Sequence, residues 1–325
     1  MQSNQYVYRP RKERHAEKKI IRLISFTVVV FASLFFLFFA IQGRLTSSPL
    51  ISPLAYPLTR SNLPFQDTFG KKNQLGEIVQ NILKDKAGDY GVVIMNLKTK
   101  ENYLLNEHKL YESASLYKLW VMAVAFEQIR SGKIKKTNIL EQKIEVLNEK
   151  FQIATESAEL TEGEIKLSVN DALRQMITIS DNYSALLLAE KVRLSNVSDL
   201  LSLEGLNESK VGLKGEAPLT TAYDMALFLE KLYKKQLEGE NDDREMLGLL
   251  KLQQLNSKLP KYLPKNISVA HKTGELGEFS HDAGIIYAPK GDYIIVVLSK
   301  TKSILDANEK IAQISKAVFD YFQNK

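Results

Sequence analysis

Read for the spacing of apolar and polar positions, the chain divides into an apolar run, a proline-punctuated stretch and a long mixed region. From Leu23 to Gly43 no residue is charged, and the run reads LISFTVVVFASLFFLFFAIQG. As a helix rising ~1.5 Å per residue it reaches about 31 Å, against a hydrocarbon core ~30 Å thick. The run therefore predicts one transmembrane helix over 23–43. The competing reading is a cleaved signal peptide, whose apolar region is usually shorter, ~7–15 residues, with small residues before the cut. Here Phe38 and Phe39 crowd the obvious cleavage position near Ala40, which favours an uncleaved signal-anchor. Pro49, Pro53, Pro57 and Pro64 follow. Each fixes φ and removes a backbone donor, so 44–66 is expected to be an extended tether.

The mixed region, 67–325, has the patterning of a folded domain. Leu75, Ile78, Val79, Ile82 and Leu83 recur at helical spacing and predict an amphipathic helix over 73–85. Residues 91–97 (GVVIMNL) and 101–106 (ENYLLN) read as strands around a turn. A mostly apolar helix is expected over 116–131, and helical text continues to about residue 262. Ser168 and Thr221 suit helix starts, and Gly205 suits a helix end. Strand text returns at 267–274, 282–288 and 293–299, and Ile311, Ile314, Val318, Tyr321 and Phe322 mark a closing helix. This order predicts an antiparallel sheet assembled from both chain ends, with a helical subdomain (about 119–262) inserted between them. The first and last helices would share one face of the sheet.

Charge changes the picture mainly at the N-terminus. The formal net charge is +6, yet residues 1–60 hold nine Lys/Arg against two Asp/Glu, leaving 35 against 36 in the rest. A nucleic-acid-binding domain needs a basic surface of its own, so no nucleic-acid partner is expected. Arg9, Arg11, Lys12, Arg14, Lys18, Lys19 and Arg22 precede the apolar run. They make 1–22 a cytoplasmic tail and put the domain outside the membrane. The chain has no Cys, which excludes disulfides, thiol nucleophiles and thiolate metal sites. His108, His271 and His281 lack metal-ligand spacing, and no metal or cofactor is expected. Trp120 reads as core.

Three short motifs carry the candidate chemistry: Ser115-Leu-Tyr-Lys118, Ser180-Asp181-Asn182 and Lys272-Thr273-Gly274. A serine hydroxyl is a poor nucleophile until a base takes its proton. Lys118, one helical turn on, is placed to reach it. Burial and a second cation such as Lys272 would favour its neutral form. A second S-x-x-K, Ser299 to Lys302, ends a strand and lacks a following helix start.

Taken together and in this order, the motifs resemble those of the penicillin-recognising serine hydrolases, and of their class A β-lactamase-like branch in particular. The resemblance covers about 71–325, most closely VAHKTGELGEFSHDAGIIYAPKGDYIIVVLSK. It implies an α+β fold, a five-stranded antiparallel sheet flanked by helices with an inserted helical subdomain. It implies Ser115 as acylated nucleophile, Lys118 as its base, Ser180 as proton relay and Lys272 as its electrostatic support. Asn182 and Thr273 would hold the substrate amide and carboxylate, and Gly274 would let substrate approach the strand. The backbone N–H groups of Ser115 and Glu275 would form the oxyanion hole. Asp181 is expected to orient its turn.

Two departures stand out. The E-x-x-L-N pattern of the class A Ω-loop is replaced by Glu204-Gly205-Leu206-Asn207, one residue short. Glu204 is then expected in the last turn of a helix capped by Gly205, with Glu208 and Glu216 as other possible deacylation bases. The Arg expected on the strand after K-T-G is also absent, and His281 stands there as an anion-binding or surface residue. The expected function is β-lactam hydrolysis through an acyl-enzyme on Ser115. The alternatives are a D,D-carboxypeptidase or penicillin-binding protein acting on peptidoglycan stem peptides, and a slowly deacylating β-lactam sensor.

Overall fold

The computed structural model describes residues 74–84, 88–213 and 215–325. The expected tail, transmembrane helix and tether lie outside these residues. Among the described residues no helix is long and apolar enough to cross a membrane. The chain enters through α1 (Gln74–Leu83), β1 (Asp89–Asn96) and β2 (Asn102–Leu105). A two-residue strand, β3 (Tyr111–Glu112), leads through a 3-10 turn (Ala114–Tyr117) into α2 (Lys118–Arg130). The inserted block continues as β4 (Ile139–Lys143), α3 (Ile144–Lys150), β5 (Glu164–Ser168), α4 (Val169–Thr178), α5 (Asn182–Val192) and α6 (Leu194–Leu203). It ends with β6 (Leu219–Thr220), α7 (Ala222–Tyr233) and α8 (Glu240–Lys251). The chain closes with β7 (Ser268–Leu276), β8 (Phe279–Tyr287), β9 (Tyr293–Lys300) and α9 (Ile304–Gln323).

The five long strands form one antiparallel sheet in the order β2-β1-β9-β8-β7. Both chain ends build it, as the patterning predicted. The runs in β1 and β9 are apolar at successive positions rather than alternating, which suits strands covered on both faces. Val92, Ile94, Ile295 and Val297 pack with α1 and α9 on one side. Val93, Met95, Val296 and Leu298 pack with the helical block on the other. α2 runs through that second core with Leu119 to Ala125 almost wholly enclosed, Trp120 among them. An apolar stripe on one face would not suit such a helix, and its sequence has none.

The helix ends follow their local chemistry. Ser168 accepts from Asp171 N to start α4, and Thr221 accepts from Asp224 N to start α7. α6 ends at Leu203, and Gly205 follows with a left-handed φ of 74°. The patterning missed two small antiparallel pairs, β3 with β6 and β4 with β5. The first fixes the site: Tyr111 pairs with Thr220 and Glu112 with Leu219, and Ser113 N donates to Pro218 O at 2.7 Å. The turn carrying Ser115 is thereby tied to the end of the 204–218 loop.

Candidate active site

Ser115 lies in the 3-10 turn immediately before α2. The preceding residue, Ala114, holds a left-handed φ of 45°. A non-glycine residue in that conformation costs about 1–3 kcal/mol and is commonly held at functional sites. On the other side of the turn stands Gly274 of β7. A Cβ there would lie 3.1 Å from Ser113 O and 3.2 Å from Ser115 N. Glycine thus lets the serine turn press directly against the edge strand. Ser115, Glu112, Ala114, Asn182, Pro218 and Glu275 are among the residues lining a cavity of about 170 Å³ beside this contact.

Lys118 is buried and aims its ammonium at the 180–182 turn. Its Nζ donates to Ser180 O (2.5 Å), Asn182 Oδ1 (2.6 Å), Ser180 Oγ (3.3 Å) and Asp181 O (3.4 Å). The hydrogen bond to Ser115 expected from the one-turn spacing is not formed. The serine sits on a tighter 3-10 turn, and the nearer oxygens of the 180–182 turn compete for the protons. Such bonds are often loose before substrate arrives and tighten in the complex. Burial brings the Lys118 ammonium down to about 8, against the opposing influence of Asp181 and Glu159.

Ser180 is held with a φ of 62°, between the two lysines. Lys272 Nζ donates to its Oγ at 2.9 Å and to Thr273 O at 2.9 Å. Lys272 is also buried, and burial together with the nearby Lys118 charge holds it well below the ordinary lysine range, with Asp282 opposing. Two desolvated ammonium groups therefore converge on one hydroxyl. Asp181 caps α5, accepting from Ser184 N at 2.6 Å, and so orients the turn that carries Ser180. Asn182 is exposed at the cavity and donates to Glu159 Oε1 at 2.6 Å. Thr273 is buried in β7. Glu275 is held by Lys258 at 2.8 Å and Asn308 at 2.9 Å, so its side chain is committed away from Ser115.

His281 is corrected from a surface residue to a buried one. Ser299 N donates to its Nδ1, so Nε2 carries the proton and donates to Glu112 O at 2.8 Å. Burial lowers its pKa to about 4, which keeps it neutral and makes it a brace for the serine turn rather than an anion ligand. His271 is buried against Asp282 (2.9 Å) on β8. Ser299, in the second S-x-x-K, is enclosed in β9 and donates to Ser280 O. Among the described residues no cluster of His, Asp or Glu is arranged to hold a metal ion.

The candidate deacylation acids are placed apart. Glu204 pairs with Lys231 at 2.8 Å. Glu208 accepts from Thr221 Oγ1 (2.8 Å) and contacts His108 (2.9 Å). Neither lines the cavity of Ser115, and Glu216 lines a neighbouring one. The sequence reading passed over Glu112, which does line it. The available signal was its place next to the buried Tyr111 on a strand, since alternation turns neighbouring side chains to opposite faces.

Residues 74–322 match the Beta-lactamase enzyme family. The chain is 24% identical over 273 residues to Beta-lactamase VEB-1 of Pseudomonas aeruginosa, covering 76% of this chain and 90% of that protein. The beta-lactamase from Sphaerobacter thermophilus DSM 20745 has the same fold, with a TM-score of 0.68 at 22% identity, covering 77% and 97% of the two chains. PBP-A matches with a TM-score of 0.69 at 21% identity, over 77% of this chain and 96% of its own. A PBP-A mutant has been solved as an acyl-enzyme complex with penicillin-G.

Proposed function

Because the chain belongs to the Beta-lactamase enzyme family, we propose that it is a membrane-anchored serine hydrolase that opens β-lactam rings through an acyl-enzyme on Ser115. The observation that carries this reading is the convergence of Lys118 and Lys272 on Ser180 Oγ, beside the cavity lined by Ser115. Neutral Lys118 takes the proton of Ser115 Oγ as the oxygen attacks the lactam carbonyl. The backbone N–H groups of Ser115 and Glu275 receive the developing oxyanion, each such donor being worth on the order of 3 kcal/mol. As the C–N bond breaks, Ser180 gives its proton to the leaving nitrogen and is resupplied from the lysines. Asn182 holds the acyl amide, and Thr273 the substrate carboxylate. Water then cleaves the ester and restores the Ser115 hydroxyl.

The placement of Glu204 and Glu208 in contacts outside the cavity favours a second reading. Acylation machinery without an Ω-loop base also suits a D,D-carboxypeptidase, or a sensor that remains acylated. The anchor rests on the basic residues before the uncharged 23–43 run.

The test is to incubate the full chain with penicillin and a chromogenic cephalosporin, following both turnover and covalent mass gain. The adduct is expected on the peptide containing Ser115 and is lost in Ser115→Ala. An adduct on Ser299, or one undiminished in Ser115→Ala, refutes the assignment.

A further inference from the structure

A second and larger cavity, about 680 Å³, adjoins that of Ser115. Tyr117, Ala217, Pro218 and Leu276 line both. One wall is a single face of α5. Leu186, Ala189 and Glu190 of α5, and Arg193 immediately past its end, line the large cavity, and Asn182 lines the small one. These positions follow one another at the three- and four-residue spacing that makes a stripe on a helix. The stripe thus runs without interruption from the reacting serine into the groove. At ~1.5 Å per residue, Asn182 to Arg193 is about 16 Å, the length of four to five residues of extended chain at ~3.3 Å each.

The walls are largely apolar, and Phe151 and Ile153 after α3 and Val211 on the short loop are among them. Among the described residues, the charged groups lining the groove are Lys150, Glu190, Arg193 and Glu216. Lys150 and Glu190 neutralise each other at 2.8 Å. Arg193, at the far end of the stripe, is exposed and forms no ion pair among the described residues. A guanidinium presents a planar fork of donors matched to a carboxylate.

We propose that this groove is an acyl-donor subsite that takes an extended, peptide-like chain, four to five residues long, ending in a carboxylate at Arg193. The proposal rests on Ser115 being the nucleophile. The carbonyl attacked by Ser115 belongs to the near end of that chain. The remainder lies along α5 between the apolar walls, and the terminal carboxylate meets the unpaired guanidinium. A short acyl group fills only the small cavity and makes no use of the groove.

Three penicillins separate these cases: one with a phenylacetyl side chain, one with an acetyl-tripeptide and one with a succinyl-tripeptide in its place. The second-order rate of Ser115 acylation is read by mass on the full chain. The succinyl-tripeptide compound is expected to react about ten-fold faster than the acetyl one, the scale of one charge-assisted contact. Both peptides should outpace phenylacetyl. Arg193→Asn keeps a residue type tolerant of the left-handed φ of 69°, and should remove the succinyl advantage alone. Ile153→Trp, at a partly buried position of the groove wall, narrows the groove and should remove the advantage of both peptides over phenylacetyl. Equal rates for all three compounds on a Ser115 adduct, or advantages that survive both substitutions, overturn the subsite. Failure of all three to modify Ser115 overturns the serine reading itself, and the subsite with it.

Discussion

At the scale of single residues, the site turns on how often Lys118 is neutral. With its pKa brought down to about 8, roughly one molecule in ten carries the free amine at pH 7 and about nine in ten at pH 9. The base works only in that form, so the sign is fixed: acylation speeds up as pH rises. The second-order rate for a penicillin should climb about ten-fold between pH 7 and pH 9 and then level. An ordinary lysine would still be climbing near pH 10. A flat profile from pH 7 to 9, or one still rising steeply past pH 10, would refute Lys118 as the base. The convergence of Lys118, Ser180 and Lys272 was legible in the sequence, because S-x-x-K, S-D-N and K-T-G each set chemical groups at fixed spacing. The strained Ala114 and Ser180 were not, since nothing in an alanine or serine codon position announces a positive φ. His281 was misjudged for a related reason. Burial is a property of the sheet around it, and the flanking letters do not reveal which strand will cover it.

At the scale of elements, the decisive segment is the 204–218 loop between α6 and β6. It is short, and Asp224 of α7 fastens it by accepting from Glu208 N (3.0 Å), Ser209 N (2.7 Å) and Ser209 Oγ (2.8 Å). Glu208 is thereby turned to Thr221 and His108, and Glu204 closes the end of α6 against Lys231. The sequence showed this helix end through Gly205, and showed that the E-x-x-L-N pattern was broken. It did not show β3 and β6, two residues each, or β4, whose Ile139-Leu140-Glu141-Gln142-Lys143 does not alternate, while the short alternation of Ile165 and Leu167 in β5 was passed over. The kinetic consequence follows from the loop. General-base help is worth about 10²–10⁴-fold, so its loss raises the deacylation barrier by roughly 3–5 kcal/mol. A stoichiometric burst followed by a slow steady state is expected in stopped flow. Glu204→Gln and Glu208→Gln should leave both phases unchanged. Glu112→Gln should slow the steady state further, because Glu112 is the cavity acid not held elsewhere. A fast linear course without a trapped acyl-enzyme, or a steady state lost in Glu204→Gln or Glu208→Gln, would contradict this assignment.

At the scale of the whole molecule, charge is distributed in a way that folding alone does not call for. The first sixty residues carry nine basic groups against two acidic ones, while the remainder is nearly balanced at 35 against 36. A soluble domain gains nothing from such a tail. Beside an uncharged run of 21 residues, the same tail suits the proposed anchor, in which it would form the cytoplasmic side of a membrane span. α1 packs its apolar face with α9 on the side of the sheet opposite the helical block. The cavities of Ser115 and of the α5 groove belong to the helical-block side. The domain is expected outside the cytoplasmic membrane, where both β-lactams and peptidoglycan are met. Protease added to intact spheroplasts should remove it and leave a short membrane-embedded fragment, while the fraction released by cells should lack it. Full protection would place the domain inside, and a mature N-terminus beyond Gly43 would replace the anchor with a cleaved signal peptide.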